Sequence, residues 1–291
     1  MTIRSVAAAL LLATALTPVM APVVAVAQTV SDQAIGDFVD SHSALTRLEK
    51  IARWEDGVCP HITGLPANFV TFINKRIRDV ATSVGAPANA DANCKANIEI
   101  VFTNQPQELM NTVREKTPVV LGYFSSIAQR DELSKVKHDM QSWHAIQTID
   151  LRGKKLIDSR NAGQGGAQGN PIQANASSSS GMRIGDGLRS AYYSGLVVAN
   201  PAKLGDAEIG QLADHIAMLA LAQPATVGAC QELPSILDLT NPTCRKEAPV
   251  KGLTKADIGY LKGLYKLDPG ASLRAQKDTL AYEIKQVLAG T

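Results

Sequence analysis

Asp214 and His215 stand side by side inside the otherwise apolar run Leu212-Ala213-Asp214-His215-Ile216-Ala217-Met218-Leu219-Ala220-Leu221. A carboxylate beside an imidazole can exchange protons near neutral pH or contribute to a metal site. On a helix, however, adjacent side chains point about 100° apart and need not act together. The pair is therefore read as a pH-sensitive binding spot at most, against the plainer alternative of a solvated polar edge. The other histidines are more isolated. His138 and His144 are six residues apart around Gln141 and Trp143, a spacing that puts them on different faces of a helix. His42 and His61 have no acidic or cysteine neighbour in sequence arranged for metal binding. A serine nucleophile finds no support: Ser177–Ser180 lies in a Gly/Ser-rich tract that cannot hold catalytic geometry, and no G-x-S-x-G elbow occurs.

The four cysteines, Cys59, Cys94, Cys230 and Cys244, lack the C-x-x-C spacing of a zinc site. Their chemistry depends on the compartment. Residues 1–27 have the pattern of a secretory signal: Arg4, an apolar run from Val6 to Leu16, and Ala25-Val26-Ala27 before a cut at Gln28. Thr17, Pro18 and Pro22 interrupt that run well short of a bilayer span. The mature chain is expected in the periplasm or outside the cell, where disulfides persist. Three pairings are possible; the most economical is local, Cys59–Cys94 with Cys230–Cys244. Each bridge would stabilise the fold by about 3–4 kcal/mol on the loop-entropy account. Oxidised thiols also leave no cysteine nucleophile.

Loss of the signal removes Arg4 and no acid, leaving 28 basic against 27 acidic residues and a net charge of +1. That balance argues against nucleic acid as a partner, which needs a dense cationic face. No later segment is long and apolar enough to make the mature chain an integral membrane protein. With 45% hydrophobic residues it can bury a core. Nothing in it points to a cofactor.

Periodicity supplies the elements. Residues 28–65 read as an N-terminal lead-in, helical to about Lys50, with a turn at Gly57, Pro60, Gly64 and Pro66. The main domain, 66–291, opens on a helix near 66–84 whose Phe69, Ile73, Ile77 and Val80 share one face. Asn97 to Phe102 alternates as a strand does, and Gln105 to Lys116 is a second helix. Val119 to Phe124 is a strand or an apolar loop. Ser142 to Ser159 reads as two strands joined at Gly153, and Arg189 to Val198 as another. Between them, 160–187 is poor in apolar residues and rich in Gly, Ser, Asn and Gln, a flexible surface insertion. Its G-x-G-x-x-x-G string has no strand–turn–helix frame for binding phosphate. The Asn175-Ala176-Ser177 sequon matters only in a host that glycosylates. A helix over 205–222, capped by Asp206, presents Ile209, Leu212, Ala213, Ile216, Leu219 and Ala220. Thr254 caps a helix to Tyr265, and a last amphipathic helix runs from Ser272 to Leu288.

This order resembles the zincin-like metallopeptidase superfamily. Leu212 to Leu221 looks like the helix that carries H-E-x-x-H in those enzymes. Pro234-Ser235-Ile236-Leu237 looks like the turn that places a methionine under the metal in one branch, with Leu237 where methionine would stand. Leu253 to Tyr265, LTKADIGYLKGLY, is similar to that branch's closing helix. Together with Arg53-Trp54 it also resembles a bacterial exported family of unknown function in the same superfamily. The resemblance implies an α+β fold: a mixed twisted sheet with a long helix against it and a C-terminal helical part.

The chemistry of the superfamily does not carry over. H-E-x-x-H works because histidines at i and i+4 both reach a zinc ion while the glutamate takes a proton from bound water. Aligned on the apolar flanks, the ligand positions here are Ala213 and Ala217, and Asp214 replaces the glutamate. Shifting the register to use His215 puts Gln211 at the first ligand and Leu212 at the base. What is implied is an exported pseudo-peptidase that binds, or builds the envelope, without catalysis, its partner an extended peptide or another envelope protein. The peptide would add to an edge strand near Tyr192, Tyr193 and Val197. The alternative is a hydrolase with an altered site, metal recruited by His215 and distant carboxylates, and Asp214 as base. A small-molecule carrier of unrelated α+β fold is a third reading.

Overall fold

The computed structural model of the protein describes residues 30–91, 93–158, 187–244 and 250–290. The expected signal peptide, the serine run, the sequon and all but the last residue of the 160–187 insertion lie outside the described residues. Ser31–Thr291 is one compact unit. Its helices are α1 (Asp32–His42), α2 (Ala67–Ser83), α3 (Pro106–Lys116), α4 (Ile127–Leu133), α5 (Ile209–Leu221), α6 (Lys255–Lys266) and α7 (Leu273–Ala289). Its strands are β1 (Pro60–Thr63), β2 (Ile98–Phe102), β3 (Met140–Ile149), β4 (Lys155–Ile157) and β5 (Arg189–Ala199). They form one mixed sheet in the order β1-β2-β5-β3-β4. β1, β2 and β5 run parallel, while β3 runs antiparallel to both β5 and β4. The protein is thus α+β with a mixed five-stranded sheet. Among the described residues no helix is long and apolar enough to cross a membrane.

Each element follows from its residues. α2 buries Ile73, Ile77, Val80 and Ala81, the stripe its spacing predicts, and Gly85 at φ +78° turns the chain out of the helix. β2 alternates buried Ile98, Ile100 and Phe102 with exposed Glu99. The β3–β4 hairpin turns at Gly153, whose φ of +79° suits glycine, and its N–H donates to Asp150 O at 2.9 Å. Thr254 caps α6 by accepting from the Asp257 N–H, and Asp257 in return accepts from the Thr254 N–H at 2.8 Å.

Several boundaries differ from expectation. α1 stops at His42 instead of running on toward Lys50, because Ser43 turns extended and the His42 ring folds back over Phe38, with centroids 3.8 Å apart. The cap of α5 is Glu208 rather than Asp206: the Glu208 N–H donates to Gln211 Oε1 at 2.9 Å. Val119 to Phe124 forms a 3-10 turn over Pro118–Leu121 and then a loop, and α4 was not foreseen.

Two layers flank the sheet. Trp143, Leu196 and Val198 point to one face and cluster with Met110 of α3 and Leu121. Alternation sends Gly195 and Val197 to the other face. There an added Cβ on Gly195 would lie 3.5 Å from Trp54 and from His144 Nε2, and α5 packs against β5, β3, α2 and α6. The buried end of α5 has no glycine cap. Instead Ala220 O accepts from Trp54 Nε1 at 2.8 Å and from His144 Nε2 at 3.4 Å, and Leu221 O accepts from the Tyr265 hydroxyl at 2.8 Å. α6 and α7 cross closely enough that a Cβ on Gly259 would meet Ile284 Cα at 2.7 Å and one on Gly263 would meet Leu280 Cα at 2.9 Å. Both obstacles are backbone and cannot rotate away. Gly259→Ala and Gly263→Ala are each expected to destabilise the protein by about 1–3 kcal/mol, measured by chemical denaturation, despite alanine's better helix propensity.

Candidate functional site

α5 carries Ala213, Asp214 and Ala217, and its geometry is closed. Ala213 and Ala217 are fully buried, so the helix face they share is packed. Asp214 is held by α2: Arg76 Nε donates to Oδ1 at 2.5 Å and Arg76 Nη2 to Oδ2 at 3.1 Å. The Leu253 N–H donates to the same Oδ2 at 3.1 Å. Gly252 passes so close that a Cβ there would lie 2.7 Å from Oδ2. Asp214 is thus the clamp joining α2, α5 and the entry to α6, and the hydrogen bond to its carboxylate raises the Arg76 pKa. His215, by contrast, is completely buried and neither ring nitrogen has a hydrogen-bond partner. Burial lowers its pKa to about 3. The adjacent pair therefore occupies two unrelated environments, as the 100° step between neighbouring helical positions anticipates. Among the described residues no group of three or more His, Cys, Asp or Glu is placed to hold a metal ion.

A second polar constellation was not foreseen. His42, Ser235 and Asp257 come together from α1, the turn before Ile236 and the first turn of α6, all three buried. Ser235 Oγ lies 2.7 Å from Asp257 Oδ1 and 3.1 Å from His42 Nε2, and it accepts from the Leu237 N–H at 3.1 Å. Asp257 Oδ2 accepts from the Ile236 N–H at 2.8 Å. The residue types are those of a serine-hydrolase triad, but the connectivity is not. In a triad the carboxylate orients the far nitrogen of the imidazole. Here His42 Nδ1 is bonded to Phe38 O at 2.9 Å and the carboxyl lies on the serine side.

A single hydroxyl proton cannot serve both neighbours of Ser235, so one of Asp257 and His42 must itself donate to the oxygen. Burial pushes the Asp257 carboxyl up to about 6 and His42 down to about 4. The chain runs from Asp257 to Ser235 to His42 to Phe38 O, a buried latch between α1 and α6. Its sequence signal was the Ser235–Asp238 capping pair, in which the Ser235 N–H donates to Asp238 Oδ2 at 3.0 Å.

The expected peptide edge requires correction. Tyr192, Tyr193 and Val197 lie on β5, the centre of the sheet and not an edge. β3 pairs along one side of β5; β2, and further along Arg53, pair along the other. The Tyr192 N–H already donates to Arg53 O at 3.0 Å. β5 therefore has no open edge along which a strand could be added. Tyr192 and Val197 are buried, and Tyr193 is the bulged residue, exposed, between the Ile146 and Ala145 pairings.

The structure places the remaining candidates separately. His61 pairs with Glu99 at 2.8 Å on the exposed edge of β1 and β2. His138 borders a surface pocket beside Asp139 and Asn241, and partial burial lowers its pKa. His144 is fully buried, its ring 4.4 Å from that of Tyr192, and burial lowers its pKa to about 4. It lines a pocket of about 350 Å³ with Arg47, Tyr123, Gln129, Asp158 and Gln223. Both local disulfides are present, Cys59–Cys94 and Cys230–Cys244, consistent with an exported protein. Comparison of the chain with protein-family models, with curated proteins and with solved structures finds no match in any of the three.

His215 makes a measurable prediction. Its folded pKa is depressed from 6.5 to about 3, so the unfolded chain takes up a proton that the folded one refuses. The stability concerned is present above pH 6.5 and is lost as pH falls toward the folded value. Between about pH 7.5 and pH 5, His215→Leu should retain about 2 kcal/mol of unfolding free energy that the unmodified protein loses. Denaturation at the two pH values checks this. Identical losses would mean that the imidazole is not isolated from solvent.

Proposed function

We propose that the protein is an exported, non-catalytic domain of zincin-like plan that works by binding, whether to a ligand or to another component of the cell envelope. The observation that carries this reading is the state of the α5 motif. Asp214, the position of a catalytic base, is committed to Arg76 and the Leu253 N–H. Its flanking Ala213 and Ala217 sit in the packed core. A base must reach the proton it abstracts, and this carboxylate is engaged on both oxygens. The signal-like N-terminus and the two disulfides support export, and the Thr254-capped α6 with its Leu253 to Tyr265 pattern supports the zincin-like plan.

Two measurements on the purified mature protein test the reading. Metal analysis should find no stoichiometric divalent ion, and Asp214→Asn should lower stability by about 1–3 kcal/mol without abolishing any hydrolysis. Stoichiometric zinc that disappears in His215→Ala, or peptide hydrolysis lost in a folded Asp214→Asn, would establish the altered-site hydrolase instead.

A further inference from the structure

The two disulfides stand in opposite settings. Cys59 is 4% exposed and its backbone is tied to Asn97: its N–H donates to Asn97 Oδ1 at 2.7 Å and its carbonyl accepts from the Asn97 N–H at 3.1 Å. Its partner Cys94 is half-buried, with Arg78 Nη2 3.6 Å from the sulfur. That cation would stabilise a thiolate on Cys94, but releasing it requires attack on Cys59, which is covered. In the second bridge Cys230 is exposed and Cys244 half-buried. Thiol–disulfide exchange needs one sulfur open to attack and a partner that leaves readily as thiolate.

The Asn241 side chain makes the two sulfurs of this second bridge unequal. Its Oδ1 accepts from the Thr243 N–H at 3.1 Å and from the Thr243 hydroxyl at 2.7 Å, which fixes the orientation of the amide. Nδ2 then donates one proton to Gly228 O at 2.6 Å and the other to Cys244 Sγ at 3.0 Å. Cys230 Sγ lies 3.8 Å from Thr243 Oγ1, whose proton is already committed to Asn241. A hydrogen bond aimed at Cys244 favours negative charge on that sulfur. The frame around the bridge is also held by other contacts. Ser235 and Ile236 are bonded to Asp257, Thr254 Oγ1 donates to Pro234 O at 3.0 Å, and the Cys244 N–H donates to Asn241 O at 3.2 Å. Opening the bridge therefore leaves both sulfurs placed to join again.

We propose that Cys230–Cys244 is a reversible thiol-exchange site, S-thiolated at Cys230 by a low-molecular-weight thiol. The thiolate of that small molecule forms a new S–S bond with Cys230 Sγ. The Cys230–Cys244 bond breaks and its electron pair leaves on Cys244 Sγ, which accepts from Asn241 Nδ2 and then takes a proton from water. A second small thiolate attacks the outer sulfur of the mixed disulfide, releasing Cys230 as thiolate and a small-molecule disulfide. The bridge gains two electrons, and the two thiols lose them. This site is independent of the reading of the protein as a binding domain.

The test is incubation of the folded mature protein with reduced glutathione at about pH 8, where a small thiol is partly ionised. Alkylation under native conditions and peptide mapping by mass spectrometry follow. The expected result is glutathione on Cys230 and alkylated Cys244 with Cys59–Cys94 intact, and return of the bridge on transfer to oxidised glutathione. Asn241→Asp keeps the acceptor for Thr243 and removes both donors. It should slow opening by about tenfold or more and erode the preference for Cys230. Opening of both bridges together, opening only in denaturant, glutathione mainly on Cys244, or unchanged rate and selectivity in folded Asn241→Asp would overturn the proposal. Should that variant not fold, the position of glutathione on the unmodified protein decides alone.

Discussion

The end of α5 is the point on which the rest of the structure depends. A helix that terminates inside a protein must find donors for its last carbonyls, and this one recruits them from three distant parts of the chain. Trp54 and His144 reach Ala220 O, and Tyr265 reaches Leu221 O. Just beyond, the Gln223 N–H donates to the Tyr192 hydroxyl at 2.9 Å and Gln223 O accepts from the Ala44 N–H at 3.0 Å. One turn of backbone thereby fixes β3, β5, α6 and the segment after α1. The aromatic packing of Trp54, His144 and Tyr192 follows from that shared target. It also explains why a buried histidine is neutral and holds its proton on Nε2.

The same helix separates two uses of buried polarity. Asp214 and the Asp257–Ser235–His42 chain hold elements together, each fully engaged. Asp158 and His144 are engaged on one side only. Polar groups buried with every partner satisfied rigidify a fold.

Much of this was legible in the chain. The α2 and α5 stripes, the Thr254 cap and the final helix follow from local periodicity and capping, because those elements bury one face and end at residues with clear chemistry. The cysteine pairing followed from loop economy. The functional geometry was less accessible, since it depends on contacts across long separations: His42 and Ser235 are 193 residues apart. The misplacement of β5 at an edge had a visible warning. Gly195-Leu196-Val197-Val198-Ala199 is continuously apolar, as suits a strand covered on both faces with parallel neighbours. His144 was weighed as if on a helix; on β3 its period of two puts it with Ile146 on the wall of a cavity.

The crossing of α6 and α7 has a consequence for how the chain matures. α7 fills the groove left by Gly259 and Gly263, and its Gln276 accepts from the Ile51 N–H at 2.9 Å. Its Lys277 and Lys285 pair with Asp40 and Asp32 of α1. Gln276 and Ile51 are 225 residues apart, so the docking of α7 is a long-range contact of the kind that closes late in folding.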